Sequence, residues 1–129
     1  MKFILPLAIV LPRKTKADKR VYLNLNNYRN WSFFLSNDVK KYYLKAMFSQ
    51  LSTISVATPC RLIFTLYRRD ARMGDRANVL CIQEKFFCDA MTAYGCWKDD
   101  KDNHIVSTEY RTVGIDRDNP RVEVEVISL

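Results

Sequence analysis

Apolar positions along the chain fall into segments of two periods. Residues 3–11 (FILPLAIVL) are an almost unbroken apolar run and predict a buried strand. Residues 121–129 (RVEVEVISL) alternate, which predicts a half-buried strand with Glu123 and Glu125 on its open face. Arg61–Tyr67 (RLIFTLY) and His104–Val113 are rich in β-branched and aromatic residues and read as further strands. Two stretches instead have helical spacing. Val39, Tyr43, Met47 and Leu51 recur every four residues, with Asn37 or Asp38 as the cap and an end near Ser52. Arg76–Tyr94 predicts the stronger helix, capped by Asp75 and stopped by Gly95. Ser52–Pro59 reads as a linker, and Arg68–Gly74 (RRDARMG) as a polar turn. The order is roughly β–β–α–β–α–β–β, an α+β fold over residues 1–129 with a mixed sheet and two main helices.

Charge changes this ordinary picture. The chain of 129 residues has 21 Lys+Arg against 14 Asp+Glu, a net charge of +7. Such an excess in a small domain favours a polyanionic partner, because cationic side chains release counterions from phosphates. Arg13, Lys14, Lys16, Lys19 and Arg20 cluster in one loop with a single acid, Asp18. The segment VYLNLNNYRNW then groups Tyr22, Asn24, Asn26, Tyr28, Arg29 and Trp31. Such residues stack on bases and grip phosphates, and they equally well fill a core or an interface. Both readings stay open at this point.

The cysteines and the N-terminus bound the setting. Cys60, Cys81, Cys88 and Cys96 form no CxxC pair, and His104 is the only histidine, which argues against a structural zinc site. Reduced thiols in a cytoplasmic protein are the expectation. The start MKFILPLAIVLP imitates a signal peptide, but Pro6 and Pro12 interrupt a short run and no small-x-small cleavage site follows. No stretch approaches the apolar length of a membrane span, so no membrane partner is expected.

The helix after Asp75 carries the candidate chemistry. Asn78, Lys85 and Asp89 lie on one stripe of it, while Val79, Phe86, Phe87, Ala90 and Met91 cover much of the remainder. A Lys85–Asp89 pair at i,i+4 is the simple structural account of that stripe. Asp99 and Asp100 follow directly after Trp97. Adjacent carboxylates sit either in water or beside a cation, and hard oxygen ligands suit Mg²⁺ or Mn²⁺. A straight helix of this length keeps its two ends roughly 28 Å apart, so the acids meet only if the turn folds back, if part of the helix is used, or if a partner subunit contributes.

The stretch from Tyr67 to Asp100 resembles the RusA-type Holliday junction resolvases of bacteria and their phages. The matching positions are Asp75 and Asn78, then Lys85 with Asp89-Ala90, then Trp97 with Asp99-Asp100. The NPRVEVEV ending and the LNLNNYRNW segment are also similar to phage members. The resemblance implies a homodimeric α+β nuclease that binds four-way DNA junctions and makes paired nicks using Mg²⁺ or Mn²⁺, in a bacterial or phage-infected cytoplasm. It implies Asp75 and Asp100 as metal ligands with Asp99 in support, and Lys85 as an aid at the phosphate. Lys14, Lys16, Lys19, Arg20, Arg29, Arg68, Arg69 and Arg72 are the expected DNA contacts. Asp70, Asn78 and Asp89 stand in reserve. One departure is plain: the family's first motif has two acids separated by one residue, and here the first of these positions is Met73. Two other functions remain in view, a DNA-binding protein without catalysis on the same fold and a small protein that binds and inhibits a host enzyme.

Overall fold

Pro6 divides the N-terminal apolar run. In the computed structural model, which describes residues 1–98, 101 and 104–129, this run forms two strands, β1 (Lys2–Leu5) and β2 (Ala8–Leu11), in separate sheets. The expectation of one strand over 3–11 is corrected by this break. Proline has no N–H to give a ladder, and its carbonyl is taken by Nε2 of the buried Gln83 at 2.8 Å. β2 returns through the basic loop into β3 (Lys19–Tyr22), with Val10 opposite Arg20 and Ala8 opposite Tyr22. Ile9 and Val21, on the other face of this hairpin, are buried.

The Asn-rich segment after β3 spends its polar groups on local structure. Asn24 caps the short helix α1 (Leu25–Tyr28), accepting from the Asn27 N–H at 2.8 Å. Asn27 and Asn30 donate their side-chain amides to the carbonyls of Tyr22 and Asn26. Tyr28 and Trp31 meet each other and Phe86 with ring centroids 5.5 to 6.4 Å apart. Both aromatics are half-buried and pack against the core.

Helix α2 (Phe33–Leu51) begins earlier than its periodicity predicts. Ser32 is the cap, its Oγ accepting from the Leu35 N–H at 3.1 Å, so Asn37 and Asp38 lie inside the helix. Val39, Tyr43, Met47 and Leu51 form the buried face, as their spacing requires.

The main sheet is built around β4 (Cys60–Arg68). On one side it pairs antiparallel with β6 (Arg121–Ser128), which in turn pairs antiparallel with β1. On the other side it pairs parallel with β5 (Ile105–Ile115), giving the order β1-β6-β4-β5. A parallel pair needs a crossover, and here α3 (Arg76–Ala93) supplies it. In β6, Val122, Val124 and Val126 are buried while Glu123 and Glu125 are half-buried on the opposite face, as the alternation predicts. This is an α+β domain with a mixed sheet.

α3 lies between the sheet and the other helices, which explains why it is apolar almost all round. Phe87 meets the rings of Phe3 and Phe64 from the sheet, and Phe86 meets Tyr43 of α2. The helix ends as predicted, with Gly95 at φ 70° in the left-handed region that glycine adopts at little cost. Beyond it Trp97 is buried against Phe87, and its Nε1 donates to the Thr92 hydroxyl at 3.0 Å. The four cysteines form no disulfide; Cys60, Cys88 and Cys96 are buried and Cys81 is half-buried. Among the described residues no helix is long and apolar enough to cross a membrane.

Candidate nucleic-acid interface

Strand register brings the basic residues together. Arg20 and Tyr22 project from one face of the β2–β3 hairpin beside Val10 and Ala8, their cross-strand partners. These four residues line a cavity of about 600 Å³. Its opposite side is the turn between β4 and α3, which contributes Arg69, Arg72, Met73 and Gly74. Leu7, Leu23 and Val79 add apolar surface, and Asn24 a polar group. Three arginines therefore line one cleft, and two of them come from a turn immediately before the helix of the candidate acids.

The turn is held by its own polar groups. Asp70 accepts from the Arg72 N–H at 2.9 Å and pairs with Arg69 Nε at 3.2 Å. The Arg72 N–H and then the Arg69 side chain hold the Asp70 carboxyl below the ordinary carboxylate range. Arg68 reaches forward to the Gly74 carbonyl with Nε and Nη2, at 3.4 and 3.3 Å. Met73 takes the Arg69 N–H on its sulfur at 3.1 Å. A Cβ at Gly74 would stand 2.7 Å from Asn78 Nδ2, so a larger residue there would displace the Asn78 side chain. Asn78 Oδ1 accepts from the Asn26 N–H at 3.3 Å, joining α1 to the start of α3.

Asp75 follows Gly74 directly. It is exposed and caps α3, its Oδ1 accepting from the Asn78 N–H at 2.8 Å. Asp75 is thus the residue next to the cleft-lining Gly74, but it does not itself line the cleft. Lys85 lies elsewhere: ten residues further along the helix, it is roughly 15 Å from Asp75 along the axis, and its Nζ pairs with Asp89 Oδ2 at 3.7 Å. Both partners are substantially exposed, so screening leaves this pair little effect on stability. The other acid of α3, Glu84, is half-buried and faces β5, where it accepts from the hydroxyls of Thr108 and Tyr110.

Asp99 and Asp100 fall outside the described residues. Trp97, just before them, is anchored at the C-terminal end of α3, which is about 27 Å long. Among the described residues no cluster of three or more metal-ligating side chains occurs. Asp75 alone still fits an ion of the Mg²⁺ type in kind, because such ions take one or two carboxylates and complete their shell with water and substrate phosphate.

The remaining expected DNA contacts distribute unevenly. Lys14, Lys16 and Lys19 are exposed on the hairpin whose face carries Arg20, whereas Arg29 follows α1 and does not line the cleft. Of the candidate contacts grouped in VYLNLNNYRNW, Tyr22 and Asn24 line the cleft, and sequence reasoning missed Val10. The two-residue period of β3 puts Tyr22 on the face of Arg20. No protein-family model matches this chain, and no curated protein matches it.

Proposed function

We propose that this protein binds DNA in the cleft lined by Arg20, Arg69 and Arg72 and cuts branched or four-way DNA beside it, as a structure-selective endonuclease using Mg²⁺ or Mn²⁺. The observation that carries this reading is the convergence of three arginines from two separate elements on one cavity, with Asp75 the next residue in the chain after its lining Gly74. Guanidinium groups bind phosphate with paired N–H donors and draw strength from counterion release. In this reading the arginines seat the sugar–phosphate backbone. The exposed lysines of the hairpin extend the grip without reading sequence, so that selectivity comes from the shape of the DNA. Asp75 would hold the ion, with Asp99 and Asp100 as the further acids that the likeness to RusA-type resolvases implies. When bound, such an ion lowers the pKa of water and neutralises charge at the scissile phosphate. A two-fold dimer matches a near-symmetric junction, two equivalent sites facing two equivalent strands.

The second reading, DNA binding without cutting, draws on the same site. Asp75 already serves as a helix cap, and Lys85 is paired with Asp89 well away from the cleft. Cleavage of synthetic four-way junctions separates the two. With Mg²⁺ or Mn²⁺ the wild type is expected to give paired nicks, and Asp75→Asn and Asp100→Asn to bind without cutting. Salt-sensitive binding by a wild type that never cuts would leave the second reading. No binding even at low salt would defeat both and leave a protein-binding role.

A further inference from the structure

The two edges of the main sheet are finished in opposite ways. On β1 the side-chain amide of Gln50 occupies both backbone groups of Ile4. The Ile4 N–H donates to Oε1 at 2.8 Å, and Nε2 donates to the Ile4 carbonyl at 2.7 Å. A strand edge blocked in this way cannot pair there with another chain. β5 forms the other edge. It is 11 residues long, and among the described strands it pairs with β4 alone. Val106, Val113 and Ile115 along it are 48%, 56% and 55% exposed. A long open edge presents a row of backbone donors and acceptors to any strand of suitable pattern.

Charge on β5 selects the partner and the register. Glu109 and Arg111 are ion-paired and exposed on the face of the sheet away from α3, on either side of Tyr110. We propose that two copies of this chain form a two-fold dimer by antiparallel pairing of β5 with β5 about an axis through Tyr110. This assigns a surface to the two-fold partner of the reading above and rests on that element of it only. In this register each Glu109 lies opposite the partner's Arg111, and each Thr108 opposite the partner's Thr112. Opposite charges and paired threonines are favourable cross-strand neighbours. A slide of two residues, the smallest that keeps each side chain on its face, sets Glu109 against Glu109 in one direction and Arg111 against Arg111 in the other. Like charges directly opposite oppose both slides. On the face towards α3, Thr108 and Tyr110 are held by Glu84, so the strand is fixed in place before it meets its partner. The product is one continuous sheet through both subunits, with two arginine-lined clefts related by the axis.

Sedimentation velocity of the full chain without DNA tests this. The wild type is expected at twice the 15.2 kDa chain mass. Glu109→Arg and Arg111→Glu should each weaken the dimer about tenfold or more, and the double exchange should restore it. A wild type that stays monomeric at its highest soluble concentration overturns the proposal. So does a dimer indifferent to both single reversals, or one that the double exchange fails to rescue. Should a reversal variant lose its native circular dichroism, Val113→Lys charges the same edge, and an unweakened dimer in that variant is equally contrary. Because DNA is absent throughout, failure here leaves binding and cutting to be judged by their own assays.

Discussion

Asp75 carries two demands on one side chain. As the cap of α3 it accepts the Asn78 N–H, and as the proposed ion ligand it must offer a charged oxygen to the cleft. The two separate by substitution. Asp75→Ser keeps an acceptor at the cap and should change stability by only a few tenths of a kcal/mol, while Asp75→Ala should cost about 1 kcal/mol in urea unfolding. Both should abolish cutting. Equal losses of stability would show that the cap is not what the carboxylate contributes to folding. Asp70 has a different task, ordering the turn that carries Arg69 and Arg72. Its folded pKa is depressed, first by the Arg72 N–H. It therefore favours the folded turn fully above the ordinary carboxylate value, and that contribution is lost as pH falls through the lowered folded value. A carboxyl-carbon NMR titration should show Asp70 titrating below an unperturbed aspartate, and the Asp70→Asn turn should lose this pH response. An ordinary midpoint would mean that the Arg72 N–H bond does not form.

At the scale of elements, the strong local patterns were readable and the long-range ones were not. α3 was legible from Asp75 to Gly95 because cap, periodicity and stop all agreed, and the face alternation of β6 followed from VEVEV. The start of α2 was misread because Asn37 and Asp38 are good caps by type, whereas Ser32 is the residue whose hydroxyl meets a free N–H of the first turn, that of Leu35. Ser32→Ala should accordingly cost about 1 kcal/mol. Asp38→Ala, by contrast, should stay within about 0.5 kcal/mol, as an exposed substitution inside a helix does. Thermal or urea unfolding checks both, and the reverse ranking would restore the later start. The break at Pro6 was hidden for another reason: a buried run reads the same whether one strand or two, and the partner of the Pro6 carbonyl, Gln83, lies far along the chain. The same distance in sequence concealed the cleft. Every arginine in it was legible as basic, but only the pairing of Val10 with Arg20 turns the hairpin face towards the Arg69–Gly74 turn.

At the scale of the whole molecule, an excess of +7 attracts polyanions generally, so binding alone says little about where DNA sits. The three cleft arginines make a more specific demand, that phosphate contacts concentrate in one cleft. The dependence of four-way-junction affinity on salt measures those contacts directly. Each phosphate neutralised contributes about 0.9 to the slope of log K against log salt on duplex arms. The wild type should bind with a steep slope. A variant with Arg20, Arg69 and Arg72 all changed to Gln should bind more weakly and lose about 2 to 3 from that slope, whereas Arg29→Gln, outside the cleft, should lose less than one. An unchanged slope in the triple variant, or no junction binding by the wild type at low salt, would contradict the account.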